Sequence, residues 1–369
     1  MKNNEEIAVN EKLLAIPRYD WREYIEYLKT VIDVPLKDEV QLFGFSDKVN
    51  LELCLSIKTA LLSGFQYQLI GPKVIDSVSK KLVYSIFSRC LIKWIAVSAI
   101  IEKLPENVFI IVADTFDVTY QMDPNSFYDK YHQFLKNNKD YENKVIFNSE
   151  LNCWPYRYDK NYRCLKHSGE RFYNLYASKR YKQDDPKENP VGCQIQEKIS
   201  KERKLPSNKY LNAGVSFGLV SNYRNLMLPF WHEISKSPLG CIDDQGVMGW
   251  LYGTKEGNIS LDYEGKLVEH VLLQNFDFDD RKGTFRNKLM NNSDDNTLLV
   301  HHSGDKSKYV YMVRKLSKWM ETNKQKLVDN STFYINGVEK KYLDVCGKFT
   351  EKDVDALDIK HNKPKKKLK

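Results

Sequence analysis

The stretch that most constrains the fold is residues 108–118, Val-Phe-Ile-Ile-Val-Ala-Asp-Thr-Phe-Asp-Val. Its first half is an unbroken run of apolar, mostly β-branched residues that is too short for an ordinary helix. Such a run predicts a strand buried on both faces, the kind found inside a parallel sheet. The run ends in two carboxylates three residues apart, Asp114 and Asp117. In open α/β sheets the ligand crevice lies beyond the carboxyl ends of the strands, where this pair is expected.

Asp114 and Asp117 allow two interpretations. Two acids at the end of a buried strand can hold a divalent cation, because carboxylate oxygens are hard ligands. The simpler alternative is one aspartate that caps the next turn and a second that faces solvent. Residues 108–118 do not decide between these roles, so the choice depends on the rest of the chain.

Strand and helix patterns alternate around this stretch. Residues 40–46 and 65–71 predict strands, and between them residues 51–62 carry apolar side chains at helical spacing before Ser63-Gly64, a helix stop. Residues 85–103 predict a strongly apolar helix. Other predicted elements are a helix at 127–135, a helix that opens at 242–246, and strands at 144–150, 210–219, 259–262, 272–275 and 298–305. This order predicts an α/β fold with a central, mostly parallel sheet flanked by helices.

The chain of 369 residues is long enough for one large α/β domain, which we expect at residues 39–320. Residues 1–38 are expected to form a polar extension with a short amphipathic helix at 21–28 on the surface. Residues 321–369 are expected to form a second polar extension with a basic tail. Within the domain, residues 156–209 lose periodicity and are crowded with Lys, Arg, Tyr, Asp and Pro. Long excursions of this kind are usually functional or flexible.

The charge pattern argues against nucleic acid as the main partner. The formal net charge is +8, but part of it lies in the tail at 360–369, and the remaining chain is close to balanced. The N-terminus lacks the apolar core of a secretory signal, and no apolar stretch reaches the ~20 residues that span a bilayer. We therefore expect a soluble, cytoplasmic protein without a transmembrane segment.

The seven cysteines are dispersed and contain no CxxC or zinc-like spacing. An odd, scattered set in a chain of this length favours reduced thiols. A bridge between Cys153 and Cys164 remains open as an alternative.

Polar residues follow a strand or begin a helix at five places. Each place has a simple structural explanation, such as a helix cap, a turn, a surface histidine or a packed tryptophan. The five places are Asp114 with Asp117, the segment from Glu150 to Trp154, the segment from Asn212 to Gly214, Asp243-Asp244-Gln245, and His301.

The order of these motifs resembles one known family. Along the chain they run Asp-Thr-Phe-Asp-Val, Phe-Asn-Ser-Glu-Leu-Asn-Cys-Trp-Pro, Tyr-Leu-Asn-Ala-Gly-Val-Ser-Phe-Gly, Asp-Asp-Gln, Leu-Asp-Tyr with Leu-Gln-Asn, and Val-His-His-Ser-Gly. This pattern, across residues 40–308, is similar to the glycosyltransferase domain of procollagen lysyl hydroxylases and related collagen glycosyltransferases. The resemblance implies a single GT-A-like domain that uses a UDP-sugar and Mn²⁺.

The resemblance also implies roles for the acidic residues and the histidine. Asp114 and Asp117 match the metal-binding acids of the family, and His301 matches its metal-binding histidine in Val-His-Gly-Asn-Gly. Asp243 and Asp244 match the end of an acidic run beside the sugar and the acceptor, which implies a catalytic role. Carboxylates combined with an imidazole favour Mn²⁺, because nitrogen ligands suit transition metals better than Ca²⁺ or Mg²⁺.

Three further residues are implied in substrate binding. Asn212 matches the asparagine of Leu-Asn-Ser-Gly-Gly on the donor side, and Trp154 matches the tryptophan of Cys-Trp-Pro on the acceptor side. Phe116 stands where the family usually has tyrosine, so it keeps a ring to stack on uracil but lacks the hydroxyl. His302-Ser303 replaces Gly-Asn, and the acidic run is shorter. From residues 309–369 we expect no lysyl hydroxylase domain after this region.

The expected activity is transfer of glucose or galactose from a UDP-sugar to a hydroxyl group. The family implies hydroxylysine or galactosyl-hydroxylysine of a collagen-like chain as the acceptor. One alternative keeps the fold and the donor but uses a glycan or another protein as acceptor. Another alternative is a non-catalytic binding protein that retains a degenerate nucleotide site.

Overall fold

Helices and strands alternate through the part of the chain that the structure describes. The computed structural model describes residues 21–36, 39–71, 86–151, 191–204, 209–235, 244–254, 258–270, 276–287, 298–302, 306–323 and 328–362. The strands are β1 (Val40–Phe45), β2 (Tyr67–Ile70), β3 (Phe109–Ala113), β4 (Val118–Tyr120), β5 (Val145–Glu150), β6 (Tyr210–Leu219), β7 (Ile259–Asp262), β8 (Val268–His270), β9 (Phe276–Asp279), β10 (Thr284–Asn287), β11 (Leu299–His301), β12 (Thr332–Ile335) and β13 (Val338–Lys341). The α-helices are α1 (Trp21–Val31), α2 (Leu51–Ser63), α3 (Ile86–Lys103), α4 (Pro124–Asn137), α5 (Val191–Arg203), α6 (Val220–Ser235), α7 (Asp244–Thr254), α8 (Lys306–Asn323), α9 (Tyr342–Cys346) and α10 (Glu351–Asn362).

An eight-stranded mixed sheet occupies the centre, in the order β13-β12-β2-β1-β3-β6-β5-β7. Strands β12, β2, β1 and β3 are mutually parallel, whereas β6 is antiparallel to both of its neighbours, β3 and β5. β7 is parallel to β5, and β13 forms an antiparallel hairpin with β12. Six strands of this sheet therefore point the same way, with β6 and β13 reversed. The predicted α/β class with a sheet flanked by helices is confirmed.

Strand β3 is buried on both faces, as its apolar run predicts. Helix α4 covers one face, where the centroids of the Phe109 and Tyr131 rings lie 4.6 Å apart. Helix α3 is also part of the core, and its residues 91–101 are all buried. Its Trp94 packs on Phe147 of β5 and Phe230 of α6. Because apolar layers cover both faces, the carboxyl end of β3 is held rigidly.

Local signals in the sequence fix the ends of the predicted helices. The Asn50 side chain accepts a hydrogen bond from the Leu53 N–H (3.0 Å) and caps the start of α2. Helix α2 ends at Gly64, whose φ of 93° is the left-handed conformation that favours glycine. The Asp123 carboxylate likewise accepts from the Ser126 N–H (3.0 Å) at the start of α4. These caps account for the agreement between the predicted and observed helices.

A second sheet of three strands, β4-β11-β8, brings a distant segment to the end of β3. β11 is antiparallel to β4 and parallel to β8, so that His301 lies opposite both Val118 and His270. The hydroxyl of Ser56 in α2 donates to the Val118 carbonyl (2.9 Å) and anchors β4. The carboxyl end of β11 therefore lies next to the loop that carries Asp114 and Asp117.

Segments on both sides of residues 39–320 pack against the core or the central sheet. Tyr24, Ile25 and Leu28 of α1 are buried in the main core, so this helix is more than a surface feature of a polar extension. At the other end, β12 pairs with β2 in the central sheet, and Phe333 is fully buried. The hydrophobic face of each segment explains this packing, because apolar surface is stabilised by removal from water.

The expectation of reduced thiols is wrong for Cys54 and Cys346, which form a disulfide. It joins α2 to α9 across 292 residues, with the two Cα atoms 5.6 Å apart. Cys193 is also disulfide-bonded, while Cys153 and Cys164 lie outside the described residues. Dispersed spacing could not reveal the first pairing, because only the fold brings its partners together.

Among the described residues, no helix combines the length and the apolar character that crossing a bilayer requires. The predicted strand at 272–275 and the basic residues from 363 onward lie outside the described part of the chain.

Candidate metal centre

The loop between β3 and β4 carries both acids of the predicted metal site. Asp114 directly follows β3 and Asp117 directly precedes β4. The Asp114 N–H donates to the Gly214 carbonyl (2.7 Å), and the Asp117 carbonyl accepts from the His302 N–H (2.7 Å). Between them, the Thr115 hydroxyl donates to the Phe45 carbonyl (3.0 Å). Residues of β6 and β1, and the residue that follows β11, thus hold the loop in place.

His301 faces these two carboxylates, as the sequence predicts. Its Nε2 atom lies 3.5 Å from Asp117 Oδ1 and 3.8 Å from Asp114 Oδ2. One ligand atom from each of the three residues falls within 4.8 Å of the other two. His301 is only 2% exposed, whereas 42% of the Asp114 side chain is exposed. The group is therefore open to solvent on the Asp114 side and closed behind the imidazole.

These three residues fit a divalent cation. His301 Nε2 is buried and has no hydrogen-bond partner among the described residues. Leaving a buried polar atom unpaired is unfavourable, and a cation between the imidazole and the carboxylates would satisfy it. Burial raises the pKa of the Asp114 carboxyl above its usual range, the Lys93 ammonium opposes the rise, and the Asp117 charge adds to it. A bound cation would favour the ionised form of both acids.

His302 lies on the other side of β11 and does not belong to the group. It is fully buried, and its Nε2 atom lies 3.0 Å from the Thr119 hydroxyl. Its ring contacts the Tyr309 ring in an edge geometry, with centroids 5.4 Å apart. Successive residues of a strand point to opposite faces, which places only the first of the two histidines at the carboxylates.

A bulge in β6 forms the wall behind His301. The pairing between β5 and β6 shifts register after Phe147, so that residues 213–215 of β6 are left out of the ladder with β5. The Asn148 side chain fills this gap, since its Oδ1 accepts from the Val215 N–H (3.2 Å) and its Nδ2 lies 3.4 Å from His301 Nδ1. A Cβ atom on Gly214 would overlap the His301 ring, so this position requires glycine.

Lys93 adds a buried positive charge beside the acids. Its Nζ atom lies 3.2 Å from Asp114 Oδ1 and 3.3 Å from Asp244 Oδ2, and it donates to the Ala213 carbonyl at 2.9 Å. Asp244 begins α7 and also accepts from the Trp94 indole N–H at 2.9 Å. The structure thus connects the predicted catalytic residue Asp244 to the metal group through Lys93. Its predicted neighbour Asp243 lies outside the described residues.

Asn212, predicted to bind the donor, lies inside a buried polar network. Its Oδ1 accepts from the Gly214 N–H (2.8 Å), and its Nδ2 donates to Glu150 Oε1 (3.2 Å). Gln245 also donates to Glu150 Oε1 (2.6 Å) and accepts from the Ala213 N–H (3.0 Å). These contacts hold the bulge of β6 that supports His301. Asn212 therefore helps to shape the site.

A glutamate and a histidine meet at the back of this network. Glu150 Oε2 lies 3.6 Å from His270 Nε2, and the His270 ring packs on the His301 ring at 5.5 Å between centroids. Burial raises the pKa of Glu150 to about 7, and burial lowers the pKa of His270 to about 3. Both effects disfavour charge, so the two side chains form a neutral pair between those limits.

Phe116 and Trp154 are the two aromatic residues predicted to contact substrates. Phe116 is half-buried between the two acids and packs against the main core, with Lys48 Nζ at 6.0 Å from its ring centroid. Its location is compatible with the predicted stacking on a base at the edge of the group. Trp154, predicted to contact the acceptor, lies outside the described residues.

Sequence reasoning missed three side chains that surround the predicted ligands: Lys93, Asn148 and His270. Lys93 had a detectable signal, because it is a charged residue within the otherwise apolar stretch at 91–101. Asn148 is a polar residue inside a predicted buried strand, which also points to a site. His270 gave no comparable signal, since its strand pairs with β11 only in the folded protein.

Comparison with known proteins gives no further identification. No protein-family model matches the chain, and no curated protein matches it either.

Proposed function

We propose that the chain is a metal-dependent glycosyltransferase that moves glucose or galactose from a UDP-sugar to a hydroxyl acceptor. The observation that carries the proposal is the group of Asp114, Asp117 and His301 at the carboxyl end of the central strand β3. Ligands of α/β sheets bind at this end of the strands. The acids and the histidine come from segments almost 190 residues apart, and the order of the motifs resembles that of the collagen glycosyltransferases.

The chemistry of the group suits a sugar nucleotide. Asp114, Asp117 and His301 would hold Mn²⁺, which as a Lewis acid neutralises charge on a diphosphate leaving group. The exposed side of Asp114 leaves room for phosphate oxygens, and the ring of Phe116 beside it can stack on the base. Lys93 adds a fixed positive charge within 3.2 Å of Asp114. The chain thus supplies cation ligands, an aromatic surface and a compensating ammonium around the carboxyl end of β3.

The acceptor follows from the resemblance. We expect hydroxylysine or galactosyl-hydroxylysine in a collagen-like chain, with Trp154 on the acceptor side and Asp243 and Asp244 near the reacting sugar. Asp244 is buried against Lys93 and Trp94, so it acts on the sugar only if its surroundings open. Asp243 is the acid for which we propose direct contact with the sugar.

The donor is tested by UDP release from UDP-glucose, UDP-galactose and other UDP-sugars, with Mn²⁺ and with hydroxylated collagen peptide. We expect one or both hexose donors to be consumed, and EDTA to abolish turnover. Asp117→Asn is the matched variant, because it removes the charge of one ligand at nearly constant size. It should reduce turnover by at least about a hundredfold, because changing a direct ligand should cost no less than losing an outer-shell partner, which costs roughly 10–100-fold.

Two other outcomes separate the alternatives. Turnover with a glycan or another protein, but not with collagen peptide, would keep the donor and replace the proposed acceptor. Binding of UDP-sugar without release of UDP under any condition would contradict the enzymatic proposal and support a binding protein. Mass spectrometry of the peptide product, which gains one hexose, identifies the transferred group.

A further inference from the structure

Lys93 is a cation enclosed within the protein beside two acids. Only 10% of its side chain is exposed, and it extends from the otherwise apolar part of α3. Burial of an ammonium group is costly unless nearby negative charges and hydrogen bonds compensate for lost hydration. The compensation comes from Asp114, Asp244 and the Ala213 carbonyl, all within 3.3 Å of Nζ. Lys93 therefore belongs energetically to the acid cluster.

The two oxygens of Asp114 face different side chains. Oδ1 contacts the Lys93 ammonium at 3.2 Å, while Oδ2 lies on the side of His301, at 3.8 Å from Nε2. The contact with Lys93 turns one oxygen away from the metal group and presents the other to it. Outer contacts of this kind orient metal ligands and change their affinity.

Asp244 controls how strongly Lys93 acts on Asp114. Its Oδ2 atom lies 3.3 Å from Lys93 Nζ and also accepts a hydrogen bond from the Trp94 indole N–H at 2.9 Å. The Asp244 charge therefore compensates part of the Lys93 charge. Without it, the ammonium would move towards Asp114 and, from this shorter distance, would repel a cation at Oδ2 and His301 more strongly.

We propose that Asp244 is a positioning residue that sets the affinity of the Asp114–Asp117–His301 group for divalent metal through Lys93. This inference rests on the metal centre of the proposed function, but not on the identity of donor or acceptor. It gives Asp244 a role independent of direct contact with the sugar. Lys93 transmits the effect because Asp244 sets the position of its ammonium group between the two carboxylates.

The test is a double-mutant cycle read by direct Mn²⁺ binding, with free Mn²⁺ measured by electron paramagnetic resonance and no substrate present. Asp244→Asn in the full chain should weaken Mn²⁺ binding by about tenfold, the lower range for loss of an outer-shell partner. Lys93→Met alone should tighten binding, because it removes a repelling charge. In the Lys93→Met background, Asp244→Asn should change the affinity by less than about twofold, since additivity fails for coupled residues.

Matched controls exclude general effects of charge. Lys103→Met removes a lysine from the end of the same helix, and Asp353→Asn removes an aspartate from the first turn of α10. Neither residue lies in the acid cluster, so both variants should bind Mn²⁺ as the parent does. Thermal unfolding of each variant establishes that it is folded, and Lys93→Gln replaces Lys93→Met if the latter is not.

Each outcome decides the inference. Equal loss of affinity from Asp244→Asn in both backgrounds would show that Lys93 does not transmit the effect, and unchanged affinity in the parent background would also overturn the inference. If no neutral variant of Lys93 folds, the comparison of Asp244→Asn with the parent still decides. A parent protein that binds no Mn²⁺ would overturn the metal centre itself, and with it the proposed function.

Discussion

Two adjacent histidines at the end of β11 have opposite environments, and this contrast gives the first prediction. His301→Ala should weaken Mn²⁺ binding and reduce metal-dependent turnover, because Nε2 is the nitrogen that faces both carboxylates. His302→Ala should leave Mn²⁺ affinity nearly unchanged and lower the free energy of unfolding by about 2–4 kcal/mol, because it creates a buried cavity. Metal titration and denaturant unfolding of both variants measure the two effects separately.

The opposite pattern would show a different register of the loop. If His302→Ala weakened Mn²⁺ binding and His301→Ala did not, the strand would present its other face to the acids. If neither variant changed Mn²⁺ affinity, the nitrogen ligand would be absent and the preference for manganese would lose its basis.

Asn148 gives a second prediction at the scale of single residues. Metal binding through His301 Nε2 requires the ring proton on Nδ1, yet the Asn148 amide nitrogen lies nearest that atom at 3.4 Å. A carboxylate there would accept from both the Val215 N–H and His301 Nδ1–H. Asn148→Asp should therefore tighten Mn²⁺ binding severalfold, since carboxylate partners raise the basicity of ligating histidines. Isothermal titration calorimetry checks this, and weaker binding would contradict the assigned roles of the two ring nitrogens.

At the scale of elements, the bulge of β6 makes the site possible. Gly214→Ala should displace the His301 ring, because the added methyl group would overlap it. We expect a loss of Mn²⁺ affinity of at least about tenfold, which titration of the metal measures. Gly64→Ala is the control, since it strains the left-handed end of α2 and should lower stability by about 1 kcal/mol without changing metal binding. Equal metal affinity in Gly214→Ala and the parent would argue against a rigid wall behind His301.

The sequence predicted the elements whose signals are local. The apolar run of β3, the caps of α2 and the helical spacing of α3 each depend on residues near one another in the chain. The metal ligands were also predictable, because each follows or ends a predicted strand. Their convergence needed the small sheet β4-β11-β8, whose strands are too short to show a pattern.

The C-terminal hairpin of β12 and β13 has a local signal in the sequence, the Asn-Gly pair between the two strands. Asn336-Gly337 joins β12 to β13, and both residues have positive φ, at 52° and 82°. Asn-Gly directly after a short apolar strand, here residues 332–335, is a strong local indication of a β-hairpin. In contrast, the position of β12 beside β2 could not be predicted, since it depends on pairing across more than 260 residues.

At the scale of the whole molecule, the Cys54–Cys346 disulfide joins the short helix α9, near the C-terminus, to helix α2 in the body of the domain. Cross-links that close long loops restrict the unfolded chain, typically by 2–4 kcal/mol. We predict that the double variant Cys54→Ser with Cys346→Ser loses about that much free energy of unfolding, measured in denaturant. Addition of reductant should lower the stability of the parent at least as far, because it also reduces the disulfide of Cys193. An unchanged stability in both measurements would contradict the contribution expected from this cross-link.

The last prediction concerns the pH dependence of the folded state and the buried Glu150. Burial raises its pKa from 4.5 to about 7, so the folded protein retains a proton that the unfolded chain releases. Glu150 therefore contributes stability that is fully present below pH 4.5 and is lost as the pH rises through 7. Between pH 5 and pH 8 this loss amounts to about 2–3 kcal/mol.

Glu150→Gln should remove this dependence, because an amide keeps an oxygen for Gln245 and Asn212 and does not ionise. The parent should lose stability relative to the variant by about 2–3 kcal/mol from pH 5 to pH 8. Denaturant unfolding in EDTA at both pH values measures this difference without metal. His270, whose pKa burial lowers to about 3, destabilises both proteins equally at acidic pH and cancels in the comparison. A constant difference between the two proteins would mean that Glu150 is ionised in the folded state, and that the neutral pair with His270 does not exist.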